Sequence, residues 1–187
     1  MTLDQGREPG PIPDHLAPDL DILFVGFNPS LRSGLTGHHY ANPSNRFWKV
    51  LFEAGLTSRI YKPEEDGELL RLGYGFTNIV DRPTRRADEI TNDEFREGRR
   101  KLKQKIETFR PKIVCFVGKG VYEQYSGKSE IPWGVQPEPQ VPGVVDFVAP
   151  STSGLVRMRT AEIVSIFSNV APVVGEGAQR KWSGPYR

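Results

Sequence analysis

Cysteine is nearly missing from this sequence: Cys115 stands alone. One thiol excludes an intrachain disulfide framework and any iron–sulfur centre, which needs several thiolates, and so sparing a use of cysteine fits a reducing compartment. Cys115 lies in an apolar run and reads as a core residue. Long apolar runs are lacking too. None approaches the ~18 residues of a membrane span, and the acidic, proline-rich start over 1–21 lacks the shape of a signal peptide. The expectation is a soluble, intracellular, cytoplasmic protein. Nor does one sign of charge dominate: 25 Lys and Arg face 23 Asp and Glu, a net charge of +2. With a pI near 8.7, that balance permits a polyanionic partner without demanding one, so the distribution of charge has to decide.

The 187 residues suit one domain, enough to hide about 70% of the unfolded chain's surface. Segments 1–19 and 175–187 are rich in Gly, Pro or polar residues and are expected to be flexible, leaving a single domain over 20–174. Inside it, short apolar runs at 22–27, 76–80, 113–118 and 145–149 predict four strands. Helical patterns fall between and after them, at 45–54, 64–72, 92–108, 120–125 and 160–170. In the long helix Asn92 is placed to cap, Asp93 and Glu94 sit in the first turn, and Phe95, Leu102 and Ile106 share an apolar face. Strands alternating with helices predict right-handed crossovers and a parallel sheet covered on both faces, an α/β protein built as a three-layer α/β/α sandwich.

In such sheets ligands gather beyond the carboxyl ends of the strands, where strand order reverses. That selects the loops 28–44, the neighbourhood of Lys119, and 150–157. Asn28 ends the most hydrophobic strand. Its amide cannot titrate near neutrality, so it is no strong base, but its oxygen can hold a water while its NH2 donates elsewhere. Pro29 stiffens the turn; the plain alternative is a strand that simply ends there. Tyr40 either stacks a planar ligand or packs over the domain's edge. His38 and His39, adjacent and without a third ligand, make a poor metal site, and no metal or cofactor is expected. In the stretch Asn45-Arg46-Phe47-Trp48-Lys49 the aromatics suit a core, and Arg46 and Lys49 suit a solvated face. Gly154, Leu155 and Val156 put apolar side chains at a solvent-facing tip beside Arg157 and Arg159, as a wedge into a base stack requires, unless they fold back onto the core. Lys119, between two glycines at a helix start, can hold an anion, or the glycines can be steric. Arg82, Arg85 and Arg86 follow a strand end and can reach phosphates; the basic run at 99–105 reads as a solvated helix face.

Five blocks occur together: Gly26-Phe27-Asn28-Pro29-Ser30, Gly37-His38-His39-Tyr40, Asn42-Pro43-Ser44-Asn45-Arg46-Phe47-Trp48-Lys49, Val80-Asp81-Arg82-Pro83-Thr84, and Pro150-Ser151-Thr152-Ser153-Gly154-Leu155. In order and spacing they closely resemble the mismatch-specific uracil-DNA glycosylase and thymine-DNA glycosylase family, family 2 of the uracil-DNA glycosylase superfamily, over roughly residues 20–172. The resemblance implies a sandwich with a short, mainly parallel four-stranded sheet. It also implies hydrolysis of the N-glycosidic bond of uracil in double-stranded DNA carrying G:U or G:T mismatches, to leave an abasic site without lyase activity. Asn28 would position the attacking water. Gly26, Phe27, Ser33, Tyr40 and Asn45 would form the base pocket, with Tyr40 stacking on the flipped base and Ser33 crowding its 5-position. Gly154, Leu155 and Val156 would fill the vacated stack, and Ser151, Ser153, Arg157, Lys119 and Arg82 would contact the DNA backbone.

The departures are specific. Ser151-Thr152 stand where bacterial members carry Asn-Pro, Val156 replaces a polar wedge residue, and the last loop has no histidine of the kind that the faster enzymes use. Slow turnover and looser mismatch selectivity are expected, from a monomer. Two other readings stay open: a non-catalytic module that binds mismatched or flipped bases, and a nucleoside or nucleotide hydrolase using the same crevice.

Overall fold

The computed structural model describes residues 6–171, so the expected tail over 175–187 lies outside the described residues. Five strands form one sheet: β1 (Ile22–Gly26), β2 (Tyr74–Asn78), β3 (Ile113–Val117), β4 (Gly134–Val135) and β5 (Val145–Ala149), in the order β2-β1-β3-β5-β4. The four expected strands pair in parallel; β4 joins β5 antiparallel at the edge. The expected four-stranded sheet is thus five-stranded. A two-residue Gly-Val strand is too short to leave a periodic signal.

The helices are α1 (Leu31–Thr36), α2 (Phe47–Glu53), α3 (Asn92–Phe109), α4 (Lys119–Ser126) and α5 (Thr160–Phe167), with 3₁₀ segments at Pro63–Leu72 and Ala87–Glu89. Every residue of β1 and of β3 is buried, because layers cover both faces. Ile22, Phe24, Phe76 and Cys115 meet Phe47, Leu51 and Phe167 on one side; Leu23, Val25, Val114 and Phe116 meet Phe95, Leu102, Ile106 and Tyr122 on the other. Period-2 alternation inside a continuous apolar run is what sends neighbours to opposite layers.

Three local expectations change. Thr91, not Asn92, caps α3: its side chain accepts from the Glu94 N–H while the Glu94 carboxylate takes the Thr91 N–H at 2.8 Å, a reciprocal capping box that Asn92 is one residue too late to make. The loop after β1 contains α1, opened by the Ser30 side chain accepting from the Ser33 N–H and closed by Gly37 in the left-handed region, φ 79°. Its Ser and Gly interrupt the apolar period by which a short helix would be seen. The segment over 13–17, expected from its composition to be flexible, lies against β2: His15 and Phe76 exchange both backbone hydrogen bonds at 2.9 Å, which covers an otherwise bare sheet edge.

Strand order reverses between β1 and β3, with β2 added to one side and β3 to the other. The segment from Phe27 to Arg46, which holds α1, leaves β1 at that point. Among the described residues no helix is long and apolar enough to cross a membrane.

Candidate active site

Beyond the carboxyl ends of β1, β2 and β3 the loops enclose a cavity of about 620 Å³. Asn28 sits on its wall. Asn28 Nδ2 donates to the Arg82 carbonyl at 2.9 Å and to Thr84 Oγ1 at 2.8 Å. A carbonyl only accepts, so the amide nitrogen must face it. Thr84 in turn donates to the Arg86 carbonyl at 2.7 Å, so its oxygen accepts from Asn28. The proton order is set at both ends, and Asn28 Oδ1 is left with no donor among the described residues. This is an acceptor held in place, able to take a hydrogen from water.

Asn45 is turned the other way. Its Oδ1 accepts from the Phe47 N–H at 2.9 Å and from the Thr152 hydroxyl at 2.7 Å, which leaves its NH2 as a donor on the cavity wall. Asn78 ends β2, in register with Gly26, and lines the same cavity. Its amide has no partner among the described residues. Asn78 is not among the residues expected at the site, although a polar amide ending an apolar strand at the ligand face is a signal for it. Gly26 is required by its neighbours, since a Cβ there would stand 2.5 Å from Asn78 Oδ1 and 3.2 Å from the Tyr40 hydroxyl.

Tyr40 has a positive φ of 51°, and its N–H has no acceptor among the described residues. Its ring stacks on Phe47, centroids 3.8 Å apart and planes 11° from parallel. One face is therefore covered, and a flat ligand can stack only on the other. The hydroxyl is buried without a partner, and burial pushes the phenol far above its usual pKa, so it stays protonated. Ser33 is buried and accepts from the Ala41 N–H at 3.1 Å; it ties α1 to the chain just beyond Tyr40.

Above the cavity, Leu155 is 94% exposed at the tip of the 150–157 loop. It does not fold back onto the core. Arg46, read from sequence as a solvated face, holds the base of that tip: its guanidinium donates to the carbonyls of Met158, Ser153 and Val156 at 2.9, 3.2 and 3.1 Å and to Thr160 Oγ1 at 3.3 Å. Nothing in local spacing reveals a contact made across more than a hundred residues. Gly154 presses on Ser44, whose atoms would lie 2.8–2.9 Å from a Cβ placed there.

Ser151, Ser153, Gly154 and Leu155 join Gly26, Phe27, Asn28, Ser33, Tyr40 and Asn45 around the cavity; Val156, Arg157, Lys119 and Arg82 do not line it. Arg157 is exposed beside the tip. Lys119 Nζ lies 4.2 Å over the Trp133 ring. The Arg82 guanidinium is committed to Glu94, with Nε at 2.6 Å and a second bond at 3.1 Å, and that pairing holds the Glu94 carboxyl down to about 2. Arg82 contributes its carbonyl to Asn28 instead. Of its neighbours, Arg86 pairs with Asp88, while Arg85 lines the cavity and has no ion pair among the described residues.

His38 and His39 also differ from expectation, because the fold supplies partners that their sequence neighbourhood lacks. His15 and Asp66 are brought against them. Burial alone would raise the Asp66 carboxyl, yet the adjacent His15 imidazole and the hydrogen bonds from the His39 N–H and His38 hold it down to about 2. Burial lowers His39, against the upward pull of the Pro13 carbonyl.

The Uracil DNA glycosylase superfamily model matches residues 13–172. Among solved structures, the solution structure of a Methanosarcina acetivorans protein described as a candidate uracil DNA glycosylase is similar at a TM-score of 0.56 and 22% identity, covering 88% of this chain and 99% of that one. That likeness shows a shared fold. The family match spans most of the chain and includes every cavity loop described above, and on it this chain belongs to the uracil DNA glycosylase superfamily.

Proposed function

We propose that the chain is a monofunctional DNA glycosylase of the mismatch-specific uracil and thymine type, acting as a monomer on duplexes that carry G:U or G:T mismatches. The observation that carries this reading is Asn28, whose free Oδ1 is aimed by two backbone carbonyls acting through its own NH2 and through Thr84.

The chemistry needs little more. A base within a duplex is out of reach, and extruding it costs about a few kcal/mol, less for a wobble pair. Leu155 enters the vacated position from its exposed tip, held by Arg46. The extruded base lies on the open face of Tyr40. The Asn78 amide, able to donate and accept at once, pairs with the polar edge of the pyrimidine, and the Asn45 NH2 adds a donor. As the glycosidic bond lengthens, negative charge grows on the base and positive charge on the sugar, and fixed donors facing the base stabilise that separation. Water held on Asn28 Oδ1 then adds to C1′, its proton passing to solvent or to the departing base. Lyase chemistry would need an amine at C1′, and among the described residues no lysine lines the cavity.

Single-turnover assays on U:G, T:G, U:A and single-stranded U oligonucleotides, with alkali to reveal abasic sites, test this. Excision by the wild type and its loss in Asn28→Ala are expected. Tight binding without excision would replace this reading with a base-binding module, and indifference to duplex context would favour a nucleoside hydrolase.

A further inference from the structure

The chain has three histidines, and all of them converge on one carboxylate. Asp66 and His39 are each 2% exposed. His15 Nε2 and His38 Nδ1 lie 3.1 and 3.2 Å from Asp66 Oδ1. A ligand atom of His15, one of His39 and one of Asp66 fall within 4.8 Å of one another.

Three features set this cluster apart from a buried ion pair. First, His15 Nε2 is sealed from solvent and makes no hydrogen bond among the described residues. It is close to the Asp66 oxygen without being directed at it. Ligands of one cation have that relation, since each lone pair points to a common centre and not to its neighbour. Second, the 3.1 Å between His15 Nε2 and Asp66 Oδ1 approximates the edge, about 3.3 Å, of a tetrahedron with metal–ligand bonds of about 2.0–2.1 Å, and His38 Nδ1, hydrogen-bonded to the same oxygen at 3.2 Å, is within reach of a fourth corner. Third, His39 is already oriented as a ligand: Nε2 donates to the Pro13 carbonyl at 2.9 Å, which leaves the lone pair on Nδ1, and metal-binding imidazoles usually anchor their other N–H in this way.

We infer that His15, His39 and Asp66 form a binding site for a divalent transition-metal ion, Zn2+ above all, with His38 as the fourth ligand. Imidazoles with one carboxylate suit Zn2+ and its neighbours, not the all-oxygen preference of Mg2+ and Ca2+. Four protein donors leave no open position, so the ion is structural. It joins the 13–17 segment, the chain entering Tyr40 and the 3₁₀ segment Pro63–Leu72. Tyr40 follows His39 directly and His39 itself lines the cavity, so the ion braces the cavity wall.

The test needs no DNA, so its outcome is separate from that of the glycosylase reading. Full-length protein without an affinity tag is stripped with chelator and titrated with Zn2+ alone, with Co2+ as a spectroscopic probe. The expected result is one Zn2+ per chain, a rise in melting temperature with Zn2+ but not Mg2+, and tetrahedral Co2+ bands. Both His15→Ala and His38→Ala should weaken Zn2+ binding at least tenfold. His38 is partly exposed, so its variant folds even where His15→Ala fails to. Absence of stoichiometric Zn2+ on the wild type, or unchanged binding by folded His38→Ala, overturns the assignment.

Discussion

Asn28 Nδ2 lies 2.8 Å from Thr84 Oγ1, and the Thr84 hydroxyl hydrogen is committed 2.7 Å away to the Arg86 carbonyl. The pair acts as one device: Thr84 keeps the amide from flipping, and the amide presents oxygen to the cavity. Removing the oxygen and removing its support should differ in size. Asn28→Ala is expected to lower single-turnover excision by about 10²-fold or more, since the water loses its position. Thr84→Val keeps the shape and loses the anchor, so about a tenfold loss is expected. Equal rates in Thr84→Val and the wild type would mean that the Arg82 carbonyl alone holds the amide.

The Arg46 fork is the counterpart device at the tip. Its planar guanidinium serves three carbonyls and a hydroxyl, a geometry that lysine cannot copy. Arg46→Lys is expected to destabilise the fold by about 2–4 kcal/mol, read by denaturant unfolding, and to reduce excision from duplex more than from single strands.

Leu155 has almost no packing to lose, being 94% exposed. Leu155→Ala should therefore leave the melting temperature unchanged. Its cost falls on extrusion, where a wedge offsets about a few kcal/mol of unstacking. Duplex U:G excision should drop more than tenfold while single-stranded U stays within about twofold; equal losses on both would remove Leu155 from that role.

Gly26 has no space for a methyl group, with Asn78 Oδ1 at 2.5 Å and the Tyr40 hydroxyl at 3.2 Å from the position that a Cβ would take. Gly26→Ala should displace the Asn78 amide and abolish excision. The accompanying Asn78→Ala variant, which frees that space, separates a filled pocket from a lost contact: activity partly restored in the double variant relative to Gly26→Ala would identify crowding as the cause.

Acid should act on the histidine cluster in two steps. Burial holds His39 below its ordinary value of 6.5, so the unfolded chain takes up that proton first, and stability falls as pH drops through and below 6.5. Asp66 is held at about 2, below the ordinary ~3.9; its contribution is complete above that ordinary value and disappears as pH falls from about 4 to about 2. In the presence of chelator, melting temperature against pH should show both declines. His39→Gln, which keeps a donor for the Pro13 carbonyl, should flatten only the upper one.

Much of the fold was legible because it rests on short-range pattern. The runs that became β1, β2, β3 and β5 are apolar throughout, and α3 carries a 3.6-residue apolar stripe, so their type follows from which faces must be covered. β4 and α1 were not legible. One has two residues and the other is broken by Ser33 and Gly34, so neither presents a full period. The cavity loops could be named from residues such as Asn28, Tyr40 and Leu155, which are unusual for their places along the chain. Arg46 and Asp66 could not, because each looks ordinary among its sequence neighbours.

The amino-acid sequence by itself determined the layered α/β architecture, the end of the sheet at which a site forms, and the family blocks along its rim. These depend on periodicity, strand-to-helix order and residues close together in the chain. The tertiary structure alone decided which amide atoms face the cavity, what holds the Leu155 tip and what surrounds the histidines. Asn28 with Arg82, Arg46 with Met158, and His15 with Asp66 are separated by 54, 112 and 51 positions. At such separations a contact of definite geometry exists only after the sheet has brought the loops together.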